Sequence, residues 1–127
     1  MVESKTNILV VDDNASFCKS MVYILDAHGY NALCVMNGLE AVNKVKEMPF
    51  DLILMDIVMP VMNGIEALKN IKKIYPNMMV VLMTGFSAGD LIQKGIQESD
   101  HTILSKPFDI DEIIDLINYF KTSKNNK

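Results

Sequence analysis

The sequence predicts an α/β fold in which a doubly wound, five-stranded parallel sheet is covered by five helices on its two faces. Short apolar runs typical of buried strands alternate five times with stretches whose apolar residues recur at helical spacing. Strict alternation of strand and helix favours right-handed crossovers and a parallel sheet. The 127 residues suffice for one packed domain, so we expect a single domain with a core over residues 6–120 and a loose polar tail over 121–127.

The predicted strands are short, apolar and bounded by polar residues, glycine or proline. They lie at Ile8–Val11, Ala32–Val35, Leu52–Met55, Met78–Met83 and Thr102–Leu104. Apolar residues three and four apart predict helices over 17–28, 41–48, 65–75, 91–96 and 110–120. Gly29, Pro49 and Pro76 are expected to end the first three helices, and capping-box spacings at Ser87–Asp90 and Asp109–Glu112 to open the last two.

Composition excludes several functional classes. The chain has 12 lysines, no arginine and 16 acidic residues, for a net charge of −4. Nucleic acids and anionic membranes are bound by clustered cations, often arginines, so we expect no direct nucleic-acid binding and no membrane insertion. The N-terminus lacks a basic start followed by an apolar stretch, which indicates a cytoplasmic protein without a signal peptide. We accordingly expect Cys18 and Cys34 to be free thiols in the core.

Five polar residues follow the predicted strands, at the sheet edge where such folds bind ligands. Asp12 and Asp13 follow the first strand, Asp56 the third, Thr84 the fourth and Lys106 the fifth. If the strand order is 2-1-3-4-5, their side chains converge. Taken alone, the first two aspartates could be turn or cap residues. The third is more informative, because it ends an apolar run in which an unpaired charge would be costly.

Three carboxylates at one edge would repel each other unless a cation lies among them. Mg²⁺ fits such a site, because it prefers oxygen ligands and retains positions for water and phosphate. An added ammonium and hydroxyl make the site suitable for phosphoryl transfer. A carboxylate can then itself be the nucleophile and form an aspartyl phosphate.

These motifs together resemble the receiver domain of two-component response regulators over almost the whole chain, from about Thr6 to Phe120. The matching segments are Asp12-Asp13, Met55-Asp56-Ile57-Val58-Met59-Pro60, Asn63-Gly64, Thr84-Gly85 and Lys106-Pro107-Phe108. The resemblance implies the flavodoxin-like fold with strand order 2-1-3-4-5. It also implies a phosphoacceptor that promotes its own phosphorylation and dephosphorylation, and not a classical enzyme.

The resemblance assigns a role to each matching residue. Asp56 would accept the phosphoryl group from a sensor histidine kinase or a histidine phosphotransfer protein. Asp13 and Asp56 would ligate Mg²⁺ directly, with the backbone carbonyl of Val58, and Asp12 would act through a metal-bound water. Thr84 and Lys106 would bind phosphoryl oxygens. The Lys106-Pro107 peptide bond would be cis.

Two departures from the family pattern bear on mechanism. Ile103 stands where receivers usually carry an aromatic residue, so the usual aromatic switch linked to Thr84 cannot operate in its usual form. We expect any switch to use the loop after Thr84, with Gly85 as a hinge and Phe86 repacking. Val58 and Phe86 occupy the two positions that influence attack by water, and because neither can orient a water, we expect slow self-dephosphorylation.

No effector domain follows in this sequence, so we expect a stand-alone regulator that signals by protein contact or phosphorelay, as a monomer or weak homodimer. The resemblance places the partner-binding face on the fourth helix, fifth strand and fifth helix, where Lys94, Asp111 and Asp115 lie. The downstream target is unknown.

Three alternative functions remain open. The first is a phosphatase of the haloacid dehalogenase type, which would need a second aspartate as general acid at the position of Val58. The second is a flavin carrier of flavodoxin type, whose first loop binds a phosphate that Asp12-Asp13 would repel. A degenerate receiver that serves only as an interaction module is the third.

Overall fold

The fold consists of a five-stranded sheet between two layers of helices, in a computed structural model that describes residues 5–85 and 102–125, with side chains as far as residue 122. The strands are β1 (Asn7–Val11), β2 (Asn31–Val35), β3 (Leu52–Asp56), β4 (Met79–Thr84) and β5 (Thr102–Ser105). Their order is β2-β1-β3-β4-β5 and every pair is parallel. The predicted fold class and strand order are therefore confirmed.

Four helices lie within the described ranges: α1 (Ala15–Ala27), α2 (Gly38–Glu47), α3 (Gly64–Ile74) and α4 (Ile110–Asn125). Asparagines at positions 14, 37 and 63 cap the first three, each side chain accepting a backbone N–H three residues on. Gly29, with a φ of 91°, follows the end of α1 as predicted. The helix predicted over 91–96, with its Ser87–Asp90 capping box, lies outside the described residues. None of the described helices combines the length and the hydrophobicity of a transmembrane span.

The end of the chain differs from the prediction. The polar segment from 121 was expected to be loose, but α4 continues through Asn125. Each residue added to an existing helix gains a backbone hydrogen bond, whether its side chain is apolar or polar. Polarity alone therefore did not distinguish the last turn of a helix from coil.

The core has two halves, one on each face of the sheet. The helices α2 and α3 pack on one face, against Leu9, Val11, Ile53, Met55, Val80 and Leu82. The helices α1 and α4 pack on the other, against Ile8, Val10, Leu52, Leu54, Val81 and Met83. Because both faces are buried, the central strands are apolar at consecutive positions, which is why they appear in the sequence as uninterrupted apolar runs.

The cysteines also differ from the prediction. Cys18 in α1 and Cys34 in β2 were expected to be free thiols, but they are joined by a disulfide across a Cα–Cα distance of 5.9 Å. The inner face of α1 packs on the side of the sheet to which the Cys34 side chain points. This packing brings together two sulfurs that lie 16 residues apart in the sequence, a juxtaposition that cysteine counting did not reveal.

Candidate functional site

The polar residues singled out in the sequence lie at the carboxyl ends of the four strands β1, β3, β4 and β5. Asp56 and Thr84 are the last residues of β3 and β4, while Asp12 directly follows β1 and Lys106 directly follows β5. The strands β1, β3, β4 and β5 are consecutive neighbours in the sheet. The strand order therefore brings residues from distant parts of the chain to one edge.

Three carboxylates form the centre of this edge. Asp12, Asp13 and Asp56 each offer an oxygen, and these oxygens all lie within 4.8 Å of one another. The first of these side chains is buried, the second is exposed, and the third is half-buried. Carboxylate oxygens at this spacing suit a hard divalent cation, since they would otherwise repel one another.

Asp12 is the most deeply buried acid of the group, with 1% of its surface exposed. Its Oδ2 accepts from the ammonium of Lys106 at 2.9 Å, and its Oδ1 accepts from the backbone N–H of Asn14, also at 2.9 Å. Both oxygens thus have a donor, as a carboxylate withdrawn from water requires. These two contacts orient the Asp12 carboxylate.

Lys106 connects two of the three acids. Its Nζ lies 2.9 Å from Asp12 and 3.7 Å from Oδ2 of Asp56. Its backbone N–H donates to the carbonyl oxygen of Thr84 at 2.8 Å, which ties the residue after β5 to the end of β4. The peptide bond between Lys106 and Pro107 is cis, as the resemblance implied.

Burial raises the pKa of the Asp56 carboxyl above its ordinary value of 3.8. The positive charge of Lys106 acts in the opposite direction, while the charges of Asp12 and Asp13 raise the pKa further. The backbone N–H of Ile57, which donates to Oδ1 at 2.9 Å, favours the ionised form. With burial and the like charges prevailing, the ionised carboxylate lacks full compensation in the metal-free protein.

Thr84 brings a hydroxyl group to the same edge. The residue is 1% exposed and ends β4 beside Ser105 of β5. Val58, two residues beyond Asp56, has 62% of its surface exposed. All six predicted site residues therefore lie at this edge or in the loop that follows β3.

Close backbone packing holds this loop in place. Gly64 begins α3, and its N–H donates to the carbonyl oxygen of Ile57 at 2.8 Å. A Cβ at Gly64 would overlap the carbonyl oxygen of Asp56 and lie 2.9 Å from Cα of Ile57. Only glycine allows this approach, which explains the glycine at position 64.

The remaining predicted positions are partly described. Ile103 is partly buried and packs against the half of the core that contains α2 and α3. Asp111 and Asp115 are exposed on α4, and Gly85 is exposed after β4. Phe86 and Lys94 lie outside the described residues.

The sequence analysis treated Phe17 only as an apolar position of the first helix. Its ring centroid lies 4.7 Å from Nζ of Lys106, and the ring packs edge-to-face with that of Phe108, at 6.2 Å between centroids. The available signal was its place in the first turn of the helix that follows Asp12-Asp13, close to the sheet edge.

Comparisons with known proteins agree with this site. The sequence profile of the response regulator receiver domain matches residues 8–118. Sporulation initiation phosphotransferase F of Bacillus subtilis is 39% identical over 120 residues, which cover 94% of this chain and 96% of that protein. Transcriptional regulatory protein ZraR of Klebsiella oxytoca is 40% identical over 113 residues, or 89% of this chain. The chain spans about a quarter, 26%, of the length of that relative.

Solved structures show the same fold. Chemotaxis protein CheY4 of Vibrio cholerae superposes with a TM-score of 0.84 at 26% identity, covering 92% of this chain and 99% of that one. The profile match, the strand order and the convergence of the acidic residues with the lysine lead to one assignment. The chain belongs to the response regulator receiver domain family of two-component systems.

Proposed function

We propose that this chain is a phosphoacceptor that takes a phosphoryl group on Asp56 in a Mg²⁺-dependent reaction. The observation that carries the proposal is the placement of three carboxylates within 4.8 Å of one another beside the Lys106 ammonium. An acidic cluster with one adjacent cation suits phosphoryl transfer, in which catalysis depends on positioning and charge neutralisation.

The donor set fits a divalent cation of the Mg²⁺ type. Asp13, Asp56 and the backbone carbonyl of Val58 would bind it directly, and Asp12 would hold one of its waters. Bound Mg²⁺ would offset the negative charge of the acids and of the incoming phosphoryl oxygens. The raised pKa of Asp56 in the metal-free protein supports this fit, because the ionised carboxylate there lacks a full counter-charge.

The reaction we propose is transfer from a phosphohistidine. An Asp56 carboxylate oxygen attacks phosphorus, an O–P bond forms as the P–N bond breaks, and the imidazole leaves with the electron pair and takes a proton from water. Lys106 and Thr84 would bind the phosphoryl oxygens. The lysine ammonium would then give up part of its contact with Asp12 and interact with the negative charge of the phosphoryl group. The donor would be a histidine kinase or a histidine phosphotransfer protein.

We further propose that the phosphorylated chain acts on other proteins by direct contact or by passing the phosphoryl group to another histidine. The B. subtilis relative, whose name describes a phosphotransferase, is matched over nearly its whole length, which supports the relay form. The exposed acids Asp111 and Asp115 on α4 are available to a partner surface.

The deciding experiment is the intact mass of the protein after incubation with Mg²⁺ and acetyl phosphate. We expect one phosphoryl adduct on the wild type, none on Asp56→Asn and none when Mg²⁺ is chelated. Asp26→Asn, which changes an exposed acid near the end of α1, is the matched control and should be phosphorylated normally. An adduct on Asp56→Asn would overturn the acceptor assignment. A wild type with neither adduct nor Mg²⁺ binding would instead support a degenerate receiver that acts only as an interaction module.

A further inference from the structure

The Lys106 ammonium has an aromatic neighbour in addition to its two acids. Its Nζ lies 4.7 Å from the centroid of the Phe17 ring, within the range of a cation–π interaction. The Lys106 side chain is 30% exposed, so part of it faces water. The Phe17 ring provides an additional surface for this ammonium, alongside Asp12 and Asp56.

The ring itself is held in place from two directions. The Phe17 backbone N–H donates to the side chain of the helix cap Asn14 at 3.0 Å, which ties Phe17 to the first turn of α1. Its ring meets that of Phe108 at an interplanar angle of 88°. Phe108 follows the Lys106-Pro107 bond directly, so a residue next to the lysine segment packs against the Phe17 ring although the two phenylalanines are far apart in the sequence.

We propose that Phe17 is a positioning residue for Lys106 and that its ring face keeps the ammonium at the phosphoryl site. The inference rests on the proposed function. A lysine ammonium ends a flexible four-carbon stem, and holding it in one place costs side-chain entropy. An aromatic face attracts the cation and shields it from water on one side, which favours the conformers that reach Asp12 and Asp56.

The proposal is tested by the affinity of the Mg²⁺-loaded protein for beryllofluoride, a stable mimic of the phosphoryl group. Phe17→Leu keeps an apolar side chain but removes the ring, and we expect about two- to tenfold weaker binding, the range of a partly exposed cation–π contact. Phe17→Tyr keeps the ring and should bind within twofold of the wild type. Phe50→Leu is the matched control, because it makes the same substitution in the half of the core that contains α2 and α3, on the other face of the sheet from Phe17.

A second measurement reports on the contact itself and does not depend on phosphoryl chemistry. In the metal-free protein, the ε-methylene protons of Lys106 should show an upfield ring-current shift in NMR spectra of the wild type and Phe17→Tyr. Phe17→Leu should lose that shift while its circular dichroism remains that of a folded protein.

Three results would overturn the inference. They are wild-type affinity in Phe17→Leu, an equal loss of affinity in Phe50→Leu, or an unchanged Lys106 shift in Phe17→Leu. Normal beryllofluoride binding by both the wild type and Phe17→Leu would remove this inference alone. A wild type that binds no beryllofluoride would remove the proposed function and this inference with it.

Discussion

The ammonium of Lys106 lies 2.9 Å from Oδ2 of Asp12, although 94 residues separate the two in the sequence. The acid is almost fully buried and the lysine is partly exposed. The contact links the loop after β1 to the loop after β5 across the carboxyl edge of the sheet. A buried carboxylate without such a partner is costly, so this pair affects stability as well as chemistry.

The first prediction concerns this ion pair. Lys106→Met should lower the free energy of unfolding by about 1–3 kcal/mol, because the buried Asp12 carboxylate loses a charged donor. Urea unfolding of the metal-free protein measures the change. Lys44→Met is the matched control: Lys44 has a similar exposure of 32% but pairs with an exposed glutamate, so its loss should cost less than about 0.5 kcal/mol. Equal effects in the two variants would show that the Lys106–Asp12 contact stabilises the protein no more than an exposed ion pair does.

The second prediction follows from the raised pKa of Asp56. The folded state binds this proton more tightly than the unfolded state, so the stability from this group is complete below pH 3.8 and is lost as the pH rises through the raised pKa. Asp56→Asn removes the titrating carboxyl group and with it this pH-dependent loss of stability. In metal-free protein its melting temperature should exceed that of the wild type by several degrees at neutral pH, and the difference should shrink on acidification.

Bound Mg²⁺ should reverse the order of the melting temperatures of the wild type and Asp56→Asn. Mg²⁺ at a hundred times its dissociation constant would stabilise the wild type by about 2.7 kcal/mol, and Asp56→Asn, which lacks one ligand, by less. Thermal melts across pH with and without Mg²⁺ make the comparison. A constant difference between the two proteins at all pH values would contradict the shifted titration.

The third prediction concerns the packing of Gly64 against the acceptor loop. Gly64→Ala should destabilise the protein by about 1–3 kcal/mol, because the added Cβ meets the backbone of Asp56 and Ile57, which cannot move aside as a flexible side chain would. Gly85→Ala is the control, since a Cβ there meets nothing within 4 Å. Chemical denaturation measures both, and a Gly64→Ala protein as stable as Gly85→Ala would show that the loop is free to shift.

The fourth prediction concerns the disulfide between Cys18 and Cys34. Closing a loop of 16 residues stabilises a fold by about 3 kcal/mol in the chain-entropy account. A reductant should therefore lower the urea midpoint of the wild type, while Cys34→Ser should be unaffected by it. Two titratable thiols in the unreduced, denatured wild type would show that the bond does not form in the isolated protein.

The fifth prediction concerns the lifetime of the phosphorylated protein. The exposed Val58 side chain cannot hydrogen-bond a water near Asp56, so we expect the phosphoryl group to persist for minutes or longer at room temperature. Val58→Asn, which adds a group able to orient water, should shorten the lifetime several-fold. Radiolabel decay in the absence of any phosphatase is the measurement, and loss within seconds from the wild type would refute slow hydrolysis.

Much of the fold could be predicted from local pattern. The run Leu52–Met55 is apolar at consecutive positions because β3 is buried on both faces, and Asp56 was therefore conspicuous at its end. The errors had physical causes. The polar residues after Phe120 continue α4 because helix propagation does not require apolar side chains, and the pairing of Cys18 with Cys34 depends on how α1 packs against β2.

By itself, the sequence determined which residues lie at the carboxyl ends of the strands, because strand length and the positions of Asp12, Asp56, Thr84 and Lys106 are local properties. Only the tertiary structure decided which of them touch. Whether Lys106 contacts Asp12 depends on strand order and register, which are set by packing of both faces of the sheet. The contact of Phe17 with that lysine depends in addition on how α1 packs against the sheet. Contacts between residues far apart in the chain arise from the packing of whole elements, and a local pattern does not contain that information.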